Sequence, residues 1–311
     1  MTTRGTRLNS LEVEVDVRPT ARWRPDAATA SMDVSPALFA CFQKLIYEQA
    51  GIWLAPHKTA LLRSRLSQRL RELGCSGMAE YYAIVSREGS DVERQRMLDC
   101  VTTHETHFFR EPQHFKYLEQ EVFPRWRQEA QEGRRPRKVR VWSAGCSTGQ
   151  EPYSLAMLLL ENFRPSQSWL LEVMATDIST RALDSARAAL YPAAQADEIP
   201  GDYLRRYMLR GTDEREGWIR PAPEVRALVS FGQLNLMDEK RPSAERFDLV
   251  FCRNVMIYFD LDSKRKSTAL LSSALSPQGL LMAGHSENLH GLMPGLKLVA
   301  PTIYALKDLS Q

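Results

Sequence analysis

The apolar positions of this 311-residue chain change period along its length. Between about residues 32 and 100 they recur at intervals of three and four. Leu38, Phe39, Phe42, Leu45 and Ile46 form one such set, and Leu62, Leu66, Leu70 and Leu73 the next. That spacing lines one face of a helix and predicts a small helical unit, closed by a helix over residues 78–85 that carries Tyr81 and Tyr82. Further on, short runs of β-branched and bulky residues alternate with helical stretches. Strands are expected at residues 139–142, 169–176, 229–231, 249–252 and 280–283, with a closing pair at 296–300 and 302–306. Helices are expected around 115–126, directly after Gly149, and over 180–189 and 263–275. This alternation predicts an α/β sheet. Residues 191–226 interrupt it and read as a short helix plus a hairpin around the Gly211 to Gly217 turn. Residues 1–31 are expected to be a disordered tail, with one patch of strand period from Leu11 to Val17.

The segment V-R-V-W-S-A-G-C-S-T-G-Q-E-P-Y-S, Val139 to Ser154, is the feature around which the second unit is organised. A buried strand breaks into small residues, and Glu151 and Pro152 then open a helix whose first turn tolerates an acid and a proline. A phosphate-cradling loop would end in Gly-Lys-Ser/Thr, and a dinucleotide loop would read G-x-G-x-x-G. Here there are only Gly145 and Gly149, with Glu151 two residues on. A diphosphate should avoid that carboxylate, whereas S-adenosylmethionine, cationic and without phosphate, tolerates it. Taken alone, the loop fits either a cofactor site or an ordinary βα turn. Asp177, ending the second strand, stands where a carboxylate holds ribose hydroxyls in nucleotide-type α/β folds, and where it could equally cap the next helix.

Composition narrows the options less than the loop does. A net charge of +3 is too small to imply nucleic acid, and 25% charged with 43% hydrophobic residues is ordinary for a soluble protein. Five cysteines without a C-x-x-C pair support neither a disulfide framework nor a zinc site. No segment reads as a signal peptide or a membrane span, so the expected location is cytoplasmic, without membrane insertion. Lys58, Arg65 and Arg69 recur beside the leucines of the second helix, either as a solvated face or as a basic surface for an acidic helical partner. Thr102 to Glu111 is an unusual linker, with His104, His107, adjacent Phe108 and Phe109, and Arg110. With no third histidine or cysteine nearby, that histidine pair predicts no metal. The phenylalanines are expected either to pack on the next domain or to form a lid carrying Arg110 to a cofactor.

Taken together, the motifs identify a resemblance. T-x-x-T-x-F-F-R-E from Thr103, V-W-S-A-G-C-S-T-G-Q-E-P-Y-S, A-T-D-I-S from Ala175, F-C-R-N-V-M-I-Y-F-D from Phe251 and A-G-H-S-E-N from Ala283 resemble the CheR-type chemotaxis receptor methyltransferases, from about Leu38 to Lys307. The resemblance implies an all-helical N-terminal domain (32–101), a linker contributing to the cofactor site (102–111), and a Rossmann-like methyltransferase sheet domain (112–311) with a small antiparallel β subdomain inserted at about 191–226. It implies S-adenosylmethionine as cofactor, with S-adenosylhomocysteine as product, held at His104, Thr106, Arg110, Glu151, Asp177, Asn235, Leu236, Arg253 and Asn254. Two positions depart from the familiar pattern: His104 stands where asparagine is usual in the best-known members, and Gln150 where glutamate is frequent.

By the same resemblance the substrate is a glutamate side chain of the cytoplasmic helical domain of a methyl-accepting receptor. A glutamate carboxylate, with a reference pKa of about 4.3, is already ionised near neutrality and needs no general base. Arg110 is the candidate to hold it and Tyr258 to line the methyl path. In some members the β subdomain grips a receptor's C-terminal peptide, which makes Gly211, Gly217 and Trp218 candidates for that contact. The alternatives are a methyltransferase acting on nucleic acid or a small molecule, and a non-catalytic cofactor-binding scaffold on a signalling array.

Overall fold

The computed structural model describes residues 33–163, 168–289, 291–292 and 294–307. The expected tail and its alternating Leu11 to Val17 patch lie outside these residues. The helical unit begins with α1 (Pro36–Ala50), which Ser35 caps by accepting from the Leu38 N–H at 3.2 Å. Gly51 ends it in the left-handed region, at φ 67°. Phe39, Phe42, Ile46 and Ala50 are its buried stripe, and Leu62, Leu66 and Leu70 that of α2 (Thr59–Leu73). Leu73, expected in that stripe, is exposed. After α3 (Met78–Val85), a further helix absent from the sequence expectation, α4 (Asp91–Val101), completes the unit and packs on α2. Its only fully buried apolar residues are Met97 and Leu98, too few to produce a visible period.

Residues expected as one helix near 115–126 form α5 (Pro112–Tyr117), a π-type turn at Leu118–Val122, and α6 (Phe123–Gln131). Pro124 lacks the N–H that a regular α-helix would use there, and the wider turn before it takes up the mismatch. The main sheet has the order β6-β2-β1-β7-β8-β10-β9. Its strands in chain order are β1 (Lys138–Ala144), β2 (Leu170–Asp177), β6 (Val229–Gln233), β7 (Phe247–Cys252), β8 (Leu275–Ala283), β9 (Leu296–Ala300) and β10 (Ile303–Leu306). The first five pair in parallel, and β10 runs antiparallel to both of its neighbours. The order reverses beside β1, and the crevice at the carboxyl ends of the strands there is where such sheets bind ligands. Helices α7 (Gln150–Asn162), α8 (Thr180–Ala188) and α11 (Leu261–Ala274) cover its faces.

The interrupted region, expected as a helix and a hairpin, carries one strand more. β3 (Tyr191–Pro192), β4 (Met208–Arg210) and β5 (Trp218–Pro221) make a separate antiparallel sheet of order β3-β5-β4, with α9 (Gly201–Tyr207) before the hairpin and α10 (Pro223–Ala227) after it. The helical unit is clasped to the sheet domain at two places. At one, the buried Asp99 carboxylate of α4 accepts from the Thr180 N–H (2.9 Å) and hydroxyl (2.7 Å) at the start of α8. At the other, Ile52 bridges Phe259, the Trp53 N–H donates to the Tyr258 carbonyl (2.8 Å) and the Tyr47 hydroxyl to Asp260 (2.9 Å). Among the described residues, no helix is long and apolar enough to cross a membrane.

Candidate active site

Between the two clasps lies a cavity of about 1100 Å³, its open mouth included. Tyr258 and all nine candidate cofactor residues line it. The linker crosses the sheet's carboxyl edge as a strap. Phe108 and Phe109 are buried in the sheet domain, Phe108 edge-on to Tyr191 at 5.0 Å and Phe109 against Phe115 at 5.0 Å. The Phe109 N–H donates to Ser154 Oγ at 3.0 Å. The lid alternative is therefore corrected: the phenylalanines anchor the strap, and Arg110 reaches the cavity because its neighbours are fixed. Phe109 and Glu111 both have positive φ, 49° and 55°, a kink imposed by anchoring the strap on both sides.

Glu151 sits in the first turn of α7, buried. Its two oxygens accept from Ser143 Oγ (2.7 Å) and from Arg253 Nε (2.7 Å). Arg253, at the end of β7, also donates through Nη1 to the Arg110 carbonyl (2.5 Å), so one buried ion pair ties the first crossover loop, the fourth parallel strand and the strap together. The pair is nearly neutral as a unit. Asp177 is different, because no cation pairs with it among the described residues. Its oxygens accept from the Ser147 N–H (2.8 Å) and the Ser179 N–H (2.9 Å) and keep lone pairs for a further donor. Burial pushes its carboxyl up, and those two N–H groups pull against the rise. It does not cap α8; Ser179 does, accepting from the Ala182 N–H at 3.2 Å.

His104 faces the same space. Thr102 Oγ1 gives its proton to the Leu98 carbonyl (2.8 Å), so in the 3.1 Å contact with His104 Nε2 the ring is the donor. Burial lowers the His104 pKa, with the Asp177 charge acting in opposition, which leaves the ring neutral at pH 7. The His107 ring turns to its neighbour's carbonyl, at 3.3 Å from Phe108 O, and shares no metal-type cluster with His104. Asn235 uses both ends of its amide within the protein, donating to the Gln49 carbonyl (2.6 Å) and accepting from the Met237 N–H (3.0 Å). Its side chain is a third stitch between the domains, and it keeps one N–H and one lone pair beyond these bonds. Asn254 is the reverse case: its side-chain oxygen is buried with no hydrogen-bond partner. Asn254 lines the cavity, and that oxygen keeps its acceptor capacity.

The glycines of the loop are required by the chain's own approach. A Cβ on Gly145, at φ 80°, would lie 2.4 Å from Val255 Cγ2, and one on Gly149, at φ 98°, 2.9 Å from the Tyr191 hydroxyl. Sequence reasoning missed Glu287. Its buried carboxylate accepts from the N–H groups of Gly284, Asn254, Met256 and Ile257, and so shapes the turn that presents Asn254 and Tyr258. A lone acid following the apolar β8 run was the available signal. The basic residues expected beside the α2 leucines need correcting as a free face, and Lys58 lies in the turn before α2 rather than on it. Arg69 is paired with Glu93 (2.6 Å) and Glu72 (3.0 Å), and Arg65 donates to the Thr102 carbonyl (2.8 Å), bracing the strap. Lys58 is exposed. Gly211, Gly217 and Trp218 lie remote from the cavity, in the β4–β5 hairpin.

These residues fit S-adenosylmethionine. Among the described residues no lysine lines the cavity, its arginine at the sheet edge is already neutralised by Glu151, and Asp177 and the Asn254 amide oxygen seek donors and positive charge, with Arg110 as the one lining cation that no carboxylate of the described residues pairs. A diphosphate would meet the Asp177 carboxylate, which no cation among the described residues neutralises. The fold and the site thus define an S-adenosylmethionine-dependent methyltransferase. Comparison with known proteins sets the class more narrowly. Residues 104–304 match the model described as CheR methyltransferase, SAM binding domain, and residues 37–102 that of the CheR methyltransferase all-alpha domain. The chain belongs to the CheR methyltransferase family. It is 37% identical over 280 residues to the chemotaxis protein methyltransferase of Salmonella typhimurium strain LT2, covering 89% of this chain and 93% of that one. It is 38% identical over 279 residues to that of Escherichia coli strain K12, with the same coverage. To chemotaxis protein methyltransferase 2 of Pseudomonas aeruginosa it is 39% identical over 263 residues, 84% of this chain and 89% of the relative.

Proposed function

We propose that this protein transfers a methyl group to glutamate side-chain carboxylates in the cytoplasmic helical domain of chemotaxis receptors, forming methyl esters. The observation that carries this reading is the state of the charges around the cavity. Glu151 and Arg253 are committed to each other, while Arg110, at the cavity wall, has no carboxylate partner among the described residues and donates to the Glu105 carbonyl at 3.1 Å. A guanidinium with donors to spare is suited to an incoming carboxylate.

When bound, S-adenosylmethionine supplies an electrophilic methyl group on a sulfonium. His104, Thr106, Arg110, Glu151, Asp177, Asn235, Leu236, Arg253 and Asn254 would hold it, Asp177 and Asn254 through the acceptors described above. The chain's own residues then have a positioning task. Arg110 orients a carboxylate that is already ionised, so no side chain has to remove a proton. Tyr258 and the apolar wall narrow the approach and exclude water. Orientation of this kind is worth up to about 7–11 kcal/mol in favourable cases. The mouth supports a macromolecular substrate: Leu61 and Tyr258 line the cavity and are exposed, as are their neighbours Trp53 and Ile257. A receptor helix would rest on this rim rather than on Arg65 and Arg69.

The β subdomain is read as a second receptor contact. β4 pairs with β5 along one edge, and Leu209 and Trp218 are exposed, which suits strand addition by an extended C-terminal peptide. Titration with such a peptide should release heat; a flat trace would remove this contact. For the reaction itself, the test is transfer of labelled methyl from S-adenosylmethionine to receptor-bearing membranes. The expected product loses its label in mild alkali, as an ester does. Alkali-stable label would point to another substrate class, and binding without transfer to a scaffold.

A further inference from the structure

We propose that Glu111, His114 and His285 form a binding site for a divalent cation of the zinc class, beside the cofactor cavity. One ligand atom from each lies within 4.8 Å of the other two. Glu111 Oε2 is 3.5 Å from His114 Nδ1 and 3.9 Å from His285 Nε2. A tetrahedral ion with bonds of about 2.0–2.1 Å spaces its ligand atoms roughly 3.4 Å apart, so closure asks only a small movement of the half-exposed His285.

Two independent features aim these atoms at one point. Thr302 Oγ1 gives its proton to the Pro301 carbonyl (2.7 Å), so in its 2.8 Å contact with His114 Nε2 the ring must donate. His114 therefore carries its proton on Nε2 and turns the Nδ1 lone pair into the cluster, the outer-shell arrangement that orients metal-binding imidazoles. Glu111 is the second feature. Its side chain is 9% exposed, Oε1 accepts from the His285 N–H at 3.1 Å, and Oε2 is buried with no hydrogen bond. A shallow solvent-open pocket, lined by Lys116, His107 and His285 among others, gives an ion its path in and leaves room for water as a fourth ligand.

Arg253 Nη1 opposes this, 3.6 Å from Glu111 Oε2 and 3.5 Å from His114 Nδ1. It is anchored independently by Glu151 and the Arg110 carbonyl, so an ion does not have to displace it, but its charge lowers the affinity. Two imidazoles and one carboxylate select zinc-like ions over magnesium or calcium. The site is distinct from the His104 and His107 pair, which do not converge.

The test uses the full chain, without a polyhistidine tag and freed of metal by chelation. Equilibrium dialysis against zinc should retain one ion at this site, and cobalt(II) should give the visible bands of a four-coordinate nitrogen and oxygen site. His285→Ala and Glu111→Gln, each checked for native circular dichroism, should weaken zinc binding by at least about tenfold. Three results would overturn the proposal: no ion retained, retention unchanged in both variants, or a sulfur-to-cobalt charge-transfer band, which would place the ion on the free cysteines.

Discussion

Glu287→Gln probes the scaffold beneath the site. Carboxylate Oε2 accepts from Gly284 N–H (2.7 Å) and Asn254 N–H (2.8 Å), and Oε1 from Met256 N–H (2.7 Å) and Ile257 N–H (3.3 Å). A carboxamide fills the same volume with one oxygen and one NH2, so whichever way it turns, two of the four N–H groups face a donor. Keeping oxygen at the Oε2 position retains the tighter pair and strands Met256 and Ile257. Each buried N–H left without an acceptor costs about 1–3 kcal/mol, and since the longer bond is the weaker, the sum is about 2–4 kcal/mol. The loss is local to the turn carrying Asn254 and Tyr258. Rebuilding that turn on ligand binding draws on the same free energy, and about 1.4 kcal/mol of it is a tenfold weaker affinity. Urea unfolding should show the destabilisation, and calorimetry with S-adenosylhomocysteine the weaker binding. A variant that unfolds within about 0.5 kcal/mol of the parent, the range of an ordinary surface substitution, would refute the claim that these four bonds hold the turn.

Further outcomes follow from other residues. Arg110→Ala should abolish methyl transfer while circular dichroism shows the fold intact, and near-normal turnover would take the guanidinium out of the mechanism. Tyr258→Phe should lower turnover with cofactor affinity kept, whereas lost affinity in calorimetry would make the residue part of the pocket wall. Gly145→Ala places a Cβ 2.4 Å from Val255 in a left-handed conformation, and should destabilise by about 2–4 kcal/mol, partly rescued by Val255→Ala. Thermal melts showing no rescue would mean that backbone strain alone decides. The His114 pKa of about 4 lies below the unfolded value of about 6.5, so the unfolded chain binds the extra proton first. Stability should be full above pH 6.5 and fall between pH 6.5 and 4, by about 3 kcal/mol in total. In His114→Gln that slope should shrink, and an unchanged slope in denaturation midpoints across the window would assign it to other groups.

Patterns that repeat were readable in the sequence, and contacts between distant segments were not. The alternation of buried strands and helices carried the sheet, because parallel strands covered on both faces are continuous apolar runs. α4 escaped because its job is polar: Asp99 clasps α8, and only Met97 and Leu98 are fully buried apolar residues. The motifs cover much of the sheet-domain side of the cavity but none of Ala50, Ile52, Leu54 and Leu61 on the helical side, and they could not say that Glu151 spends its charge on Arg253, a partner 102 residues away. Arg65 and Arg69 illustrate the same limit. Helical spacing placed them side by side, and only the packed structure reveals that one braces the strap and the other pairs with Glu93. Glu287 was visible as a letter in a motif, but its four donors come from two loops brought together by β7 and β8.

The two family models meet between residues 102 and 104, and that seam runs through the middle of the cavity wall. Ala50, Ile52 and Leu54 contribute from one side of it, Gly145, Asp177 and Asn254 from the other. Boundaries drawn from sequence would invite a researcher to clone the halves apart, or to graft the front of one homologue onto the back of another. Either exercise would cut the binding chamber open, so what evolves, swaps or is truncated as a working unit must span both.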